Sequence, residues 1–306
     1  MAHHTLIKNR ETVAIVSEDG STQATFVPTL GGAASSIIMP GKQGPRELLY
    51  LHEFFWDEEI SDLPGGWPFC FPVCARLSRQ GSYGAYLYDG KIYKLKIHGF
   101  AWYEAWEVED EGVDFVTLVL RDNQRTRECY PFSFEVKLLY RITTGKLTCQ
   151  QVYRNLGDRP MPYYAGFHPY FLTPPPGAGK EKVILNYHPT RRFVYNKDLT
   201  EIVGETALFP LPISVADPRI NEQLTTVDEN KEITLHYPEG DTIHLTAEGV
   251  DNPELFSYVQ LYTMRDKPFI CVEPWMAFPN AMNSVFGARF LPPGTSEEGR
   301  LRLWMD

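Results

Sequence analysis

Six apolar residues occupy every second position from 132 to 142: Phe132, Phe134, Val136, Leu138, Tyr140 and Ile142, with mostly polar residues between them. A repeat of two belongs to a β-strand with one buried and one wet face, whereas a helix repeats at 3.6. After Thr144-Gly145-Lys146 the alternation resumes at Leu147, Cys149 and Tyr153, so the two runs are predicted to pair as an antiparallel hairpin. This segment alone commits the chain to sheet.

The same signature recurs. Residues 13–16, 24–27, 115–120 and 183–187 read as extended, and the chain ends on alternating Leu301, Leu303 and Met305. Residues 233–237 and 242–245 flank Pro238-Glu239-Gly240-Asp241, a second hairpin signal. Residues 258–262 and 269–272 form a third pair, joined by Met264-Arg265-Asp266-Lys267. Helical periodicity is confined to residues 53–61, a short helix or irregular loop, and neither βαβ alternation nor a P-loop is present. The expected fold class is all-β, mainly antiparallel, built as a large β-sandwich. The Pro- and Gly-rich segment 172–182 (LTPPPGAGKEK) reads as a surface loop within one domain, because strands flank it on both sides. Residues 203–230 are weakly patterned and read as a long excursion over one face. A single β-sandwich catalytic domain over 1–306 is expected, with 1–10 flexible or peripheral.

A net charge of −10 argues against nucleic acid, which is held by clustered Lys and Arg. No run reaches the roughly 18 apolar residues of a membrane helix, and the N-terminus lacks a signal-peptide core. The adjacent His3 and His4 are read as part of a tail. Five cysteines without a dense framework suit reduced thiols in a cytoplasmic protein. Cys70 and Cys74 stand four apart, but zinc would need two further ligands. Cys70, Cys74 and Cys271 all sit in apolar contexts, which suits inert burial better than nucleophilic chemistry.

Four segments look unlike ordinary strand or turn. Residues 66–77 (GWPFCFPVCARL) gather aromatics and prolines around one cation, Arg76; residues 97–102 (IHGFAW) hold His98. Residues 163–171 (YYAGFHPYF) set His168 among aromatics, and residues 269–283 (FICVEPWMAFPNAMN) put Glu273 after an apolar run and before Pro274-Trp275. A carboxylate ending an apolar strand is costly to bury unless paired, and burial would make it a usable base near neutral pH. An exposed strand-end Glu273 fits the local sequence equally well. His168 and His98 each read alone as hydrogen-bonded core residues, and Arg76 as an ion-pair partner. Trp67, Trp102, Tyr164 and Trp275 lie in these same segments; aromatic faces beside Arg, His and Asn are what a sugar site requires. His98, His168 and Glu273 show no metal-ligand spacing.

Taken in order, these segments resemble the aldose 1-epimerase (galactose mutarotase-like) superfamily: Arg after a Pro-rich turn, His-Gly, His followed by Tyr-Phe, then a late Glu. The resemblance runs from about residue 26 onward and includes the turn Leu291-Pro292-Pro293-Gly294-Thr295. HPYF and VEPW depart from the best-known galactose mutarotases and look closer to the divergent bacterial branch, which includes hexose-6-phosphate epimerases. The resemblance implies a large antiparallel β-sandwich with Glu273 as general base and His168 as general acid. It implies Arg76 and His98 as ligands of sugar hydroxyls. It also implies an Asp on the excursion, for which Asp217 is the candidate, and Trp275 is expected at the ring. The implied activity is interconversion of the α and β anomers of an aldohexose without metal or cofactor. Alternatives are a hexose-6-phosphate 1-epimerase, drawing phosphate ligands from Arg76, Arg79, Arg125 and Arg127, and a non-catalytic carbohydrate-binding sandwich. The expected partner is a small aldose or phosphorylated aldose, with the protein a monomer or homodimer.

Overall fold

The computed structural model describes residues 1–57, 65–284 and 287–306. Among them, two large antiparallel sheets carry the fold, one of nine strands and one of eight. The predicted hairpin is strands Phe134–Thr143 and Lys146–Asn155, paired from Phe134↔Asn155 to Thr143↔Lys146. Phe134, Val136, Leu138, Tyr140 and Ile142 are all buried. Ser296–Met305 is laid between Lys146–Asn155 and Thr242–Gly249, in the interior of the nine-stranded sheet. Tyr153 from this sheet stacks on Phe69 and Phe71 near the other, with ring centroids 6.3 and 6.4 Å apart. A smaller five-stranded sheet packs against the same core, with Phe26 set 4.5 Å from Tyr140. Sheets facing each other across interleaved aromatics make the expected β-sandwich.

Two expectations change. Residues 1–10 are peripheral, but His3–Ile7 is an ordered edge strand paired with Arg10–Val16, because the ladder supplies partners that a free tail lacks. The excursion 203–230 is not only a surface run. Its Gln223–Val227 lies inside the eight-stranded sheet between Pro189–Tyr195 and Tyr258–Tyr262, with Leu224 and Thr225 buried on opposite faces. Burial on both faces removes the alternation that would have announced it. Of residues 53–61, those from 58 on lie outside the described residues, and 53–57 are turn and bend.

Segment 172–182 is a loop ending in a short 3-10 turn, Lys180–Lys182. The Lys180 ammonium donates to Thr263 Oγ1 and to the carbonyls of Met264 and Lys267 at 2.6–2.9 Å. Burial pulls its pKa down to about 8. No helix among the described residues is long and apolar enough to cross a membrane.

Candidate active site

The site is built on Phe269–Trp275, whose seven residues are all buried. Ile270 and Val272 point into the core, so alternation turns Cys271, Glu273 and Trp275 to the opposite face. Register sets Gln260 across from Glu273 and Tyr262 across from Cys271. A cleft of about 280 Å³ opens on this face, lined by Arg76, His98, His168, Tyr195, Glu222, Gln260, Tyr262, Glu273 and Trp275 among others.

Two loops reach over the strand and hold each other. The His98 amide donates to the Ala75 carbonyl at 2.9 Å, and the Ala75 amide donates to His98 Nδ1 at 3.1 Å. Both residues are left-handed, with φ of 59° and 58°. Such non-glycine conformations persist only where the surroundings over-determine them. The bond has a chemical result. Nδ1 is occupied as an acceptor, so the neutral ring carries its proton on Nε2 and can donate it to a ligand. Burial, with His168 and Arg76 nearby, keeps His98 neutral by holding its pKa well below the usual imidazole range. Gly99 follows at φ 79°, so close to Phe71 that a Cβ would stand 2.2 Å from the Phe71 carbonyl oxygen.

His168 Nε2 lies 3.3 Å from Glu273 Oε2. His168 is 4% exposed and Glu273 1%, and neither His168 Nδ1 nor Glu273 Oε2 has a hydrogen-bond partner in the protein. The His168 ring stacks on Tyr170 at 4.8 Å. Burial drives the Glu273 pKa well above the carboxylate range, with Cys70 and Glu222 adding to the rise and Trp275 opposing it. Burial lowers His168 to about 3. Both shifts favour the uncharged forms, one proton on a carboxyl beside a neutral imidazole. Desolvation disfavours both charged forms at once.

The structure brings Arg76, His98, His168, Glu273 and Trp275 together and leaves Asp217 out. Asp217 caps the short turn Pro218–Ile220, pairs with Arg219 at 2.7 Å and borders a separate cavity. The excursion's carboxylate in the cleft is instead Glu222, just before Gln223–Val227. Burial raises its pKa and Arg76 opposes the rise. Glu222 accepts from Gln260 Nε2 at 3.3 Å, and Gln260 Oε1 accepts from the Tyr195 hydroxyl at 2.8 Å. The sequence reading missed all three. The pairing of 258–262 with 269–272 pointed to Gln260, since cross-strand partners share a face. Of the four aromatics singled out, Trp275 lines the cleft; the Trp102 ring packs tilted against His98 at 4.9 Å, and Trp67 and Tyr164 are core. Cys70 and Cys74 are buried and free, with Cys70 Sγ 3.3 Å from His98 Nδ1.

Comparison with known proteins bears on this arrangement. Residues 14–304 match the aldose 1-epimerase family. The chain belongs to that family. Protein LacX of Lactococcus lactis subsp. lactis is 23% identical over 277 residues, covering 83% of this chain and 85% of that relative. The crystal structure of the Slr1438 protein from Synechocystis sp. PCC 6803 superposes with a TM-score of 0.80 at 25% identity, over 100% of this chain and 96% of that one. A galactose mutarotase related enzyme from Lactobacillus acidophilus gives 0.75 at 20% identity, over 100% and 97%. Both solved structures thus share this fold over the whole of the chain.

The raised Glu273 pKa ties stability to pH. A carboxyl raised above its ordinary 4.5 favours the folded state fully below that value, and the contribution is lost as pH rises through the folded pKa. Glu273→Gln removes that loss. Its melting temperature should exceed wild type at pH 7, and the gap should close at pH 4. Equal gaps at both pH values would contradict a carboxyl with a raised pKa.

Proposed function

We propose that this protein is an aldose 1-epimerase acting on an unphosphorylated aldohexose, with Glu273 and His168 as its acid–base pair. The observation that carries the reading is that pair: two buried titratable groups 3.3 Å apart, with His168 Nδ1 and Glu273 Oε2 left without a protein hydrogen bond, facing a cleft beside a neutral donor imidazole. Structural ion pairs are normally satisfied by further hydrogen bonds, whereas reactive ones keep atoms open for substrate.

The mechanism follows from the single proton. Shifting it from Glu273 to His168 gives the carboxylate–imidazolium form. Glu273 then takes the C1 hydroxyl proton while His168 donates to the ring oxygen, and the C1–O bond opens to the aldehyde. This returns the pair to carboxylic acid and neutral imidazole, the arrangement of the free protein. The C1–C2 bond rotates, and the reverse transfers close the ring as the other anomer. His98 Nε2 and the Arg76 guanidinium donate to sugar hydroxyls, Glu222 and Gln260 offer acceptors, and Trp275 supplies an apolar face. Protons are the only species exchanged, so the reaction as written consumes no cofactor.

Charge favours a neutral sugar over a phosphosugar. Among the described lining residues Arg76 is the one cation and faces two carboxyls, Glu222 and Glu273. Arg125 is paired with Glu104 at 2.8 Å and Arg127 with Asp122, and Arg79 does not line the cleft. Phosphate recognition wants converging cations. Polarimetry on freshly dissolved α-glucose and α-galactose should show anomeric exchange well above the buffer rate. Glucose 6-phosphate should exchange at least ~10-fold less efficiently than glucose, about 1.4 kcal/mol of discrimination. A phosphosugar preference would reverse this reading, and sugar binding with exchange at the buffer rate would favour the non-catalytic alternative.

A further inference from the structure

We infer that the acid–base pair and Cys271 together form a binding site for a thiophilic divalent cation such as Zn²⁺ or Cd²⁺, and that its occupation blocks the cleft. The inhibitory half of this statement rests on the proposed function; the binding half does not.

His168, Cys271 and Glu273 each offer one ligand atom, and these three atoms lie within 4.8 Å of one another. All three residues are buried, at 4%, 0% and 1% exposure. Strand geometry explains the convergence. Cys271 and Glu273 are two residues apart on Phe269–Trp275 and share its outer face, while Tyr170, opposite Cys271, carries the stacked ring of His168. Ligands remote in sequence have met without any recognisable spacing. A tetrahedral zinc site separates its donor atoms by roughly 3.5 Å. The His168–Glu273 contact of 3.3 Å already meets that spacing, and a modest rotation of the thiol completes it.

The donor set selects the metal. One nitrogen, one sulfur and one carboxylate oxygen suit zinc or cadmium, while Mg²⁺ and Ca²⁺ want oxygen alone. Three protein ligands leave a fourth position, and His168 and Glu273 both face the cleft, so that position falls to water. Glu273 Oε2 has no hydrogen-bond partner in the protein, so a cation would satisfy a buried atom that is otherwise orphaned. Binding displaces the protons of the Cys271 thiol and the Glu273 carboxyl to solvent and engages both groups that would move protons in catalysis. The cation and the sugar would therefore exclude each other.

Titration of the whole protein with Cd²⁺, followed by thiolate-to-cadmium absorption in the ultraviolet, tests the binding. Wild type should show a signal that saturating galactose suppresses. Cys271→Ser should lose it, Glu273→Gln should weaken it, and Cys129→Ser should keep it, each variant being checked for native circular dichroism. In polarimetry, Zn²⁺ should inhibit wild type reversibly on addition of chelator, and Cys271→Ser should need at least ~10-fold more Zn²⁺ for the same inhibition. If Cys271→Ser does not fold, weakening of the signal in Glu273→Gln and its suppression by galactose carry the test. An absorption change that is indifferent to Glu273→Gln and to galactose would overturn the inference. A cadmium signal in a protein without mutarotation would uphold the site and sink the proposed function instead.

Discussion

Under the proposed function, Glu273→Gln should fold normally and lose anomeric exchange by about 10²- to 10⁴-fold in kcat, the range general acid–base groups contribute. The amide keeps the shape of the carboxyl and neither takes nor gives the proton that the pair holds. The buried position favours the variant's fold, since an uncharged group replaces one that burial disfavours when ionised. Loss of activity with gain of stability is the signature of a strained functional group, and a purely structural Glu273 would show the reverse. The measurement is polarimetry of α-galactose at neutral pH beside a thermal melt. Wild-type rates in the variant would remove Glu273 from the mechanism.

The second large effect is expected away from the titrating groups. Gly99→Ala places a methyl 2.2 Å from the Phe71 carbonyl oxygen and 2.8 Å from Pro72 Cδ, at a φ of 79° that L-residues rarely adopt. The neighbouring atoms are mostly backbone and cannot rotate away. Left-handed strain and overpacking together should cost about 3–5 kcal/mol. Phe71 also accepts from the amides of Phe100 and Ala101, so relief of the clash must move the loop that carries His98. A lower urea midpoint with a raised KM in the surviving folded fraction is the expected pattern. Gly81→Ala is the control: it also has positive φ, but no atom lies within 4 Å of its added Cβ. Its destabilisation should be limited to backbone strain. Equal losses in the two variants would assign the effect to φ alone.

The sheet was legible wherever one face of a strand is wet. Phe134 to Ile142 alternates because its outward residues meet solvent, and the hairpin register follows from the turn at Gly145. Where both faces are covered, the pairing of 258–262 with 269–272 could still be read, but the surroundings of each side chain could not. Phe269–Trp275 reads as a plain apolar run, and nothing local says that Glu273 lies beneath two loops and not at a wet strand end. His168 alone looked like core, and it is core by burial; only its distance to Glu273 distinguishes it. Asp217 was chosen by its position on the excursion, yet an Asp followed by Pro is a turn cap, and that is its role. Glu222 carried no signal of its own, because its direction is set by a strand that the sequence did not reveal.

The interior placement of Ser296–Met305 has a consequence for how the molecule is made. Its partners, Lys146–Asn155 and Thr242–Gly249, precede it by roughly 50 to 150 positions, and neither can be bridged to the other until it arrives. During translation both strands therefore present unpaired edges, and unpaired edges invite association with other nascent chains. Contacts of such sequence separation also close slowly. This protein's demand on chaperones should be greatest in the interval before Ser296–Met305 emerges, and overexpression at high temperature should send it to inclusion bodies through that interval, not through instability of the finished sheet.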